Sequence, residues 1–103
     1  MSSLRMPRSL ASRLGVETGE AVLRHELMEE QAQSLGRMGR KVEAALAALR
    51  DHPAEGRAEA VKAAADVVWA FLVQRECLGL RDRQAVIAQY AIPREVLNRV
   101  GAL

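Results

Sequence analysis

The segment AAADVVWAFLVQRECLGL, residues Ala63–Leu80, decides the fold that this sequence predicts. Wound as an α-helix, it places Trp69 and Val73 on the same side as the polar residue Asp66. The opposite side of this helix, which extends back beyond Ala63, is also apolar, with Val61, Ala64, Ala65, Val68, Phe71 and Leu72. A helix that is apolar nearly all round is buried on more than one side. We therefore expect either the C-terminal segment or another subunit to cover Trp69, in addition to one partner helix.

The ends of this helix are marked in the sequence. It is expected to start near Ala54 to Arg57 and to run to Leu78. Gly79 can adopt the left-handed conformation that ends helices, and Leu80 supplies the apolar residue of a Schellman ending.

A longer amphipathic helix precedes it, from an N-cap at Thr18 to about Arg50. The residue before Pro53 is driven out of helical geometry, which ends the helix. Gly39 lies beside the apolar stripe, where a missing side chain could admit a neighbouring backbone. The stripe recurs every seven residues, at Ala21, Met28, Leu35, Val42 and Leu49.

Two short helices are predicted after Gly79. Asp82 can cap the first, which runs to about Tyr90, and Pro93 serves as the first residue of the second, which Gly101 ends. The predicted fold is all-α: a long antiparallel helical hairpin plus two short C-terminal helices, forming a dimeric four-helix bundle. Residues 1–16 are predicted to be a flexible basic arm, and residues 17–103 a single helical domain.

Composition narrows the function classes. The chain has 103 residues, half of them apolar, with 15 basic and 13 acidic residues. Three arginines lie in residues 1–16, so the remainder is near neutral and gives weak support for nucleic-acid binding. The single cysteine, Cys77, fits a reducing compartment and is expected to be a buried packing residue. No apolar run is long enough to span a bilayer, so we expect a soluble cytoplasmic protein without membrane contact.

Three stretches together resemble a known family. They are LGRMGRKVEAALAAL at Leu35–Leu49, AAADVVWAFLVQRE at Ala63–Glu76 and GLRDRQAVIAQYAIPREVLNRVG at Gly79–Gly101. They are similar to a family of small, uncharacterised bacterial proteins, over about Glu20 to the C-terminus. The resemblance implies a helical fold and transfers no activity, catalytic residue or binding residue.

The segment Gln84–Val100 raises the possibility of a degenerate helix-turn-helix over residues 82–100. In this alternative function, a small DNA-binding regulator, Arg94, Asn98 and Arg99 would face the DNA. Three features weaken it: Ala91 replaces the glycine expected in the turn, the connection between the two helices is one residue short, and Glu95 would face phosphates. The competing interpretation is that the two helices only fold back over the hairpin. In the DNA-binding arrangement the apolar packing would come from Ile87, Ala88, Ile92, Val96 and Val100.

Metal binding and catalysis have little support. His25 and Glu29 are four residues apart and could chelate a metal, but a solvated acidic helix face explains them better. Cys77 would lie in the last turn of a helix, where the dipole disfavours a thiolate. We expect no catalytic residue, no metal and no cofactor.

Self-association is the function that the pattern favours. Between Glu17 and Glu30 the long helix has five acids against Arg24, whereas its later part is basic, a distribution that suits antiparallel pairing of two subunits. We expect a homodimeric, non-enzymatic interaction or assembly protein, which can also have an unknown protein partner. The expected interface residues are Trp69, Val73, Phe71, Met28, Leu35 and Met38.

Overall fold

A computed structural model describes residues 8–102, with side chains from residue 18 onward. It has four helices: α1 (Arg8–Arg50), α2 (Arg57–Cys77), α3 (Arg83–Tyr90) and α4 (Arg94–Leu97). No strand occurs between residues 8 and 102, which confirms the all-α class. The chain divides into two compact units, Met1–Gln33 and Ser34–Leu103.

Helix α1 begins earlier than predicted. It starts at Arg8, so Thr18 lies inside the helix and the prediction that Thr18 is its N-cap was wrong. The physical reason is that no proline lies between Pro7 and Pro53, while leucine, alanine and arginine favour the helix. Of the predicted flexible arm, residues 8–16 are helical and residues 1–7 lie outside the described part of the chain. The boundary at residues 16 and 17 stays a prediction.

The core of the unit Ser34–Leu103 is built from small apolar side chains. Its largest fully buried side chains are four valines, so the helices must approach closely to exclude water. Among the described side chains no polar or charged residue is buried. The buried residues come from α1, from α2, and from α3 to α4: Val42, Leu46 and Leu49; Val61, Ala64, Ala65, Val68, Phe71 and Leu72; Val86, Ile92 and Val96.

Helix α2 has the predicted boundaries within one residue. Gly79 adopts the left-handed conformation with φ of 83°, and its N–H donates to the Glu76 carbonyl at 2.9 Å. The Leu80 N–H donates to the Arg75 carbonyl at 2.9 Å. These two bonds are those of a Schellman motif, so the predicted ending is confirmed.

Helix α3 is capped as predicted, because the Asp82 carboxylate accepts a hydrogen bond from the Ala85 N–H at 3.0 Å. The last helix differs from the prediction. Pro93 is the N-cap of α4 rather than its first residue, and α4 ends at Leu97 instead of continuing to Gly101. Residues 98–101 form turns, and Gly101 has a φ of 74°, a conformation that stops a helix.

A glycine on α1 allows the end of α3 to pack closely against α1. A Cβ added at Gly39 would lie 2.6 Å from the Tyr90 hydroxyl oxygen and 3.7 Å from the Phe71 ring. The rings of Tyr90 and Phe71 pack edge to face, 5.4 Å apart at an angle of 82°. Gly39 therefore admits an aromatic side chain, not the neighbouring backbone that the sequence suggested.

Arg57 joins three parts of the unit Ser34–Leu103. Its guanidinium donates to the backbone carbonyls of Leu49 at 3.0 Å and His52 at 2.9 Å, and to the Glu95 carboxylate at 3.3 and 2.5 Å. The hydrogen bond with Arg57, followed by its positive charge, lowers the pKa of Glu95, and the same hydrogen bond raises the pKa of Arg57. The end of α1, the start of α2 and α4 are thus held by one side chain.

Candidate interaction surface

Two large apolar side chains of α2 remain exposed. Trp69 is 42% exposed and Val73 is 38% exposed, one helical turn apart on the same side of the helix. They lie among the exposed residues Asp66 and Glu76. This placement leaves an aromatic and a branched apolar side chain at the surface of the helix that also supplies half of the core.

The C-terminal segment covers part of the indole. A Cβ added at Gly101 would lie 3.5 Å from Trp69 Cε3, so the chain passes directly against the ring. On α3 the Arg83 guanidinium carbon lies 5.9 Å from the Trp69 ring centre, within cation–π range. Arg83 is held there by the Glu76 carboxylate, at 2.7 Å from Nη2. Trp69 is therefore covered on one side by its own chain and open on the rest.

The other predicted interface residues lie in different surroundings. Phe71 is buried against Tyr90 and contributes packing within the chain rather than accessible surface. Leu35 and Met38 are half-buried against the core, and Met28 is exposed. Of the six, Met28, Trp69 and Val73 are thus the exposed ones.

A shallow groove on the unit Ser34–Leu103 extends the surface at Met38. Its volume is about 240 Å³, and Met38 and Lys41 of α1 line it together with residues of α2. The residues from α2 are Asp66, Val67 and Ala70. Sequence reasoning missed Val67 and Ala70, although their three-residue spacing places them on one side of α2.

Four large apolar side chains are exposed in the part of α1 that belongs to the unit Met1–Gln33. They are between 51% and 66% exposed: Val22, Leu23, Leu27 and Met28. Of these the sequence reasoning selected only Met28. The four-residue spacing of Leu23 and Leu27 was the signal that could have added both, because such residues share one helix face.

The residues of the DNA-binding alternative are at the surface. Arg94, Asn98 and Arg99 are all exposed, but α4 spans four residues, a single turn. Within this segment Val86 is buried and Ala88 is exposed, so the predicted packing role of Ala88 was wrong. The reason is that α3 turns Val86 toward the core, and Ala88, two positions on, faces away.

The remaining candidate groups are also exposed. His25 Nε2 lies 2.9 Å from Glu29 Oε1, one turn away within the acidic part of α1. Within the described residues no three histidine, cysteine, aspartate or glutamate side chains come together as metal donors would. Cys77 is exposed, which corrects the prediction of a buried packing residue. It lies on the outer side of α2, four residues after Val73, where the core does not reach.

None of the described helices combines the length and apolar character needed to cross a membrane.

The sequence model of a family of unknown function, DUF6665, matches residues 2–103. This match confirms the resemblance to an uncharacterised family. No curated protein and no solved structure matches the chain.

Proposed function

This chain belongs to the DUF6665 family, whose function is unknown, and we propose that it is a non-enzymatic interaction or assembly protein that self-associates. The observation that carries the proposal is the exposure of Trp69 and Val73 on α2. Tryptophan is among the residue types that most often contribute large binding energies at protein interfaces, and such residues do so when they are fully desolvated. An exposed aromatic beside an exposed valine therefore supports an interface on this side of α2.

The contacts between α1 and α2 support a hairpin as the unit that associates. The Gln74 amide donates to the Ser34 hydroxyl at 3.1 Å, near the end of α2. Arg57, at the start of α2, donates to the Leu49 carbonyl at 3.0 Å. Later residues of α2 thus meet earlier residues of α1, as in an antiparallel pair. Two such hairpins would give a homodimeric four-helix core.

The small core gives a further reason for self-association. Valine and alanine dominate the buried residues, and each buries little apolar area. A second copy placed over Trp69 and Val73 would add apolar burial that the single chain lacks. Leu80, also exposed, lies just beyond α2 and is available to extend such an interface.

The DNA-binding regulator remains the alternative, with weaker support. A recognition helix lies along the major groove and presents several side chains from successive turns. Helix α4 has one turn, and its Glu95 carboxylate is bound to Arg57.

The exposed free thiol of Cys77 fits the cytoplasm, a reducing compartment, as the place of action.

The test is to place a charge in the proposed interface and measure association. Val73→Glu is chosen because Val73 is exposed and its replacement leaves the core intact. We expect its dimer dissociation constant, from sedimentation velocity, to rise at least about tenfold. Ala58→Glu, an exposed position near the other end of α2, is the matched control and should associate as the unmodified chain does.

Trp69 is the single tryptophan, so its fluorescence reports on the same surface. Dilution of the unmodified chain should shift its emission to longer wavelength as the indole becomes hydrated. Val73→Glu should show the same shift at concentrations at least about tenfold higher. Equal dissociation constants for Val73→Glu and Ala58→Glu would place the interface elsewhere.

A further inference from the structure

The acidic part of α1 has an apolar face that no described residue of the unit Met1–Gln33 covers. Leu23 and Leu27 lie one turn apart and are more than half exposed. Glu26 and Glu30 flank them, also one turn apart and exposed. An exposed apolar stripe with charges along its edge is the pattern of a helix that packs against another helix.

The basic part of α1 carries the complementary charges at the same spacing. Arg37 and Lys41 are exposed and lie four residues apart, as Glu26 and Glu30 do. Lys41 borders the groove that Met38 forms with residues of α2. Exposed alanines follow on this part of the helix, and their small side chains allow close approach of a second helix: Ala44, Ala47 and Ala48.

We propose that the acidic part of α1 docks antiparallel on the basic part of α1 of a second copy of this chain. This inference rests on the proposed self-association and gives it an orientation. Glu26 and Glu30 are four residues apart, and so are Arg37 and Lys41. One antiparallel register therefore places Glu26 against Lys41 of the second copy and Glu30 against Arg37 of the second copy at the same time. The two-fold symmetry of a homodimer then repeats both contacts, which gives four ion pairs.

Apolar contact supplies the affinity and the charges fix the orientation. Exposed ion pairs contribute little each, but like charges in their place oppose association. Leu27 lies three residues before Glu30, so the two are neighbours on the surface of α1, and Leu27 comes opposite the groove beside Met38 and Lys41. A parallel arrangement would place Glu26 on Glu26 and Lys41 on Lys41, so the charges select the antiparallel one.

The test uses two variants of the full chain with reversed charges. Glu26→Lys/Glu30→Lys makes these four positions all basic, and Arg37→Glu/Lys41→Glu makes them all acidic. Each variant alone should self-associate at least about tenfold more weakly than the unmodified chain, because every pair becomes repulsive. Their equimolar mixture should form a heterodimer with a dissociation constant within about threefold of the unmodified one. Circular dichroism confirms that each variant keeps its helix content.

The outcomes separate this inference from the proposed function. If each variant alone dimerises as the unmodified chain does, the orientation is wrong and self-association stands. If the mixture associates far more tightly than the unmodified chain, the helices pair in parallel and the inference fails. An unmodified chain that stays monomeric overturns both. Raising the salt concentration should weaken the unmodified dimer, since exposed pairs are screened.

Discussion

Gly39 of α1 and Tyr90 of α3 fit together only because glycine has no side chain: a Cβ at Gly39 would lie 2.6 Å from the Tyr90 hydroxyl oxygen. The ring that carries this hydroxyl is rigid and packs against Phe71. It cannot move away without disturbing the core. This contact sets how closely α3 approaches α1.

We expect Gly39→Ala to lower the free energy of unfolding by about 1–2 kcal/mol, because the clash outweighs the higher helix propensity of alanine. Gly36→Ala is the matched control. A Cβ there meets only the Arg40 guanidinium, at 3.6 Å, so this change should raise the free energy of unfolding by up to about 1 kcal/mol. Urea unfolding at one protein concentration measures both.

Tyr90→Phe tests whether the Tyr90 hydroxyl causes the destabilisation expected for Gly39→Ala. With the hydroxyl removed, Gly39→Ala should cost less than it does in the unmodified chain. An equal cost in both backgrounds would mean that the hydroxyl contact does not limit the approach of the helices.

The backbone conformation of Ala91 predicts that its replacement by glycine stabilises the fold. It is the non-glycine residue with positive φ in the described chain, at 50°, and it ends α3. Left-handed geometry costs alanine about 1 kcal/mol relative to glycine, so Ala91→Gly should raise the free energy of unfolding by about that amount. Ala88→Gly, an exposed position within α3, should lower it by about 1 kcal/mol. Thermal or urea unfolding that gives both variants the same sign would refute the strain at Ala91.

The ion pair of Arg57 and Glu95 predicts a pH dependence. Arg57 lowers the pKa of Glu95 in the folded state, so the pair stabilises the fold above the ordinary carboxyl pKa of 4.5. This stabilisation disappears as the pH falls through the lowered pKa. Glu95→Gln should therefore melt below the unmodified chain at pH 7, and the two melting temperatures should converge in acid. Glu55→Gln, exposed in the loop before α2, is the control. A difference that stays constant down to pH 2 would contradict this role.

The helix ends that depend on one local residue were predictable from sequence. Pro53 ends α1, Gly79 ends α2 and Asp82 caps α3, because each acts on the backbone within a few residues. The start of α1 and the length of α4 were not predictable in this way. Weak local preferences decide them. Thr18 has the residue type of a cap but lies inside α1, and Pro93 is the N-cap of α4 but does not determine where α4 ends.

The surface was predictable in part for a similar reason. Trp69 and Val73 stand out because they interrupt a polar stripe. Leu23 and Leu27 are exposed because no described residue of their unit covers them, which a helical pattern alone does not reveal. Cys77 was misplaced because an apolar helix leaves open which of its sides the core takes.

The mass of the unmodified chain in solution tests the central claim most directly. Sedimentation equilibrium over a range of micromolar concentrations should give a mass that approaches twice 11.3 kDa and falls on dilution. A mass of 11.3 kDa at every concentration would contradict self-association through the exposed surface of α2.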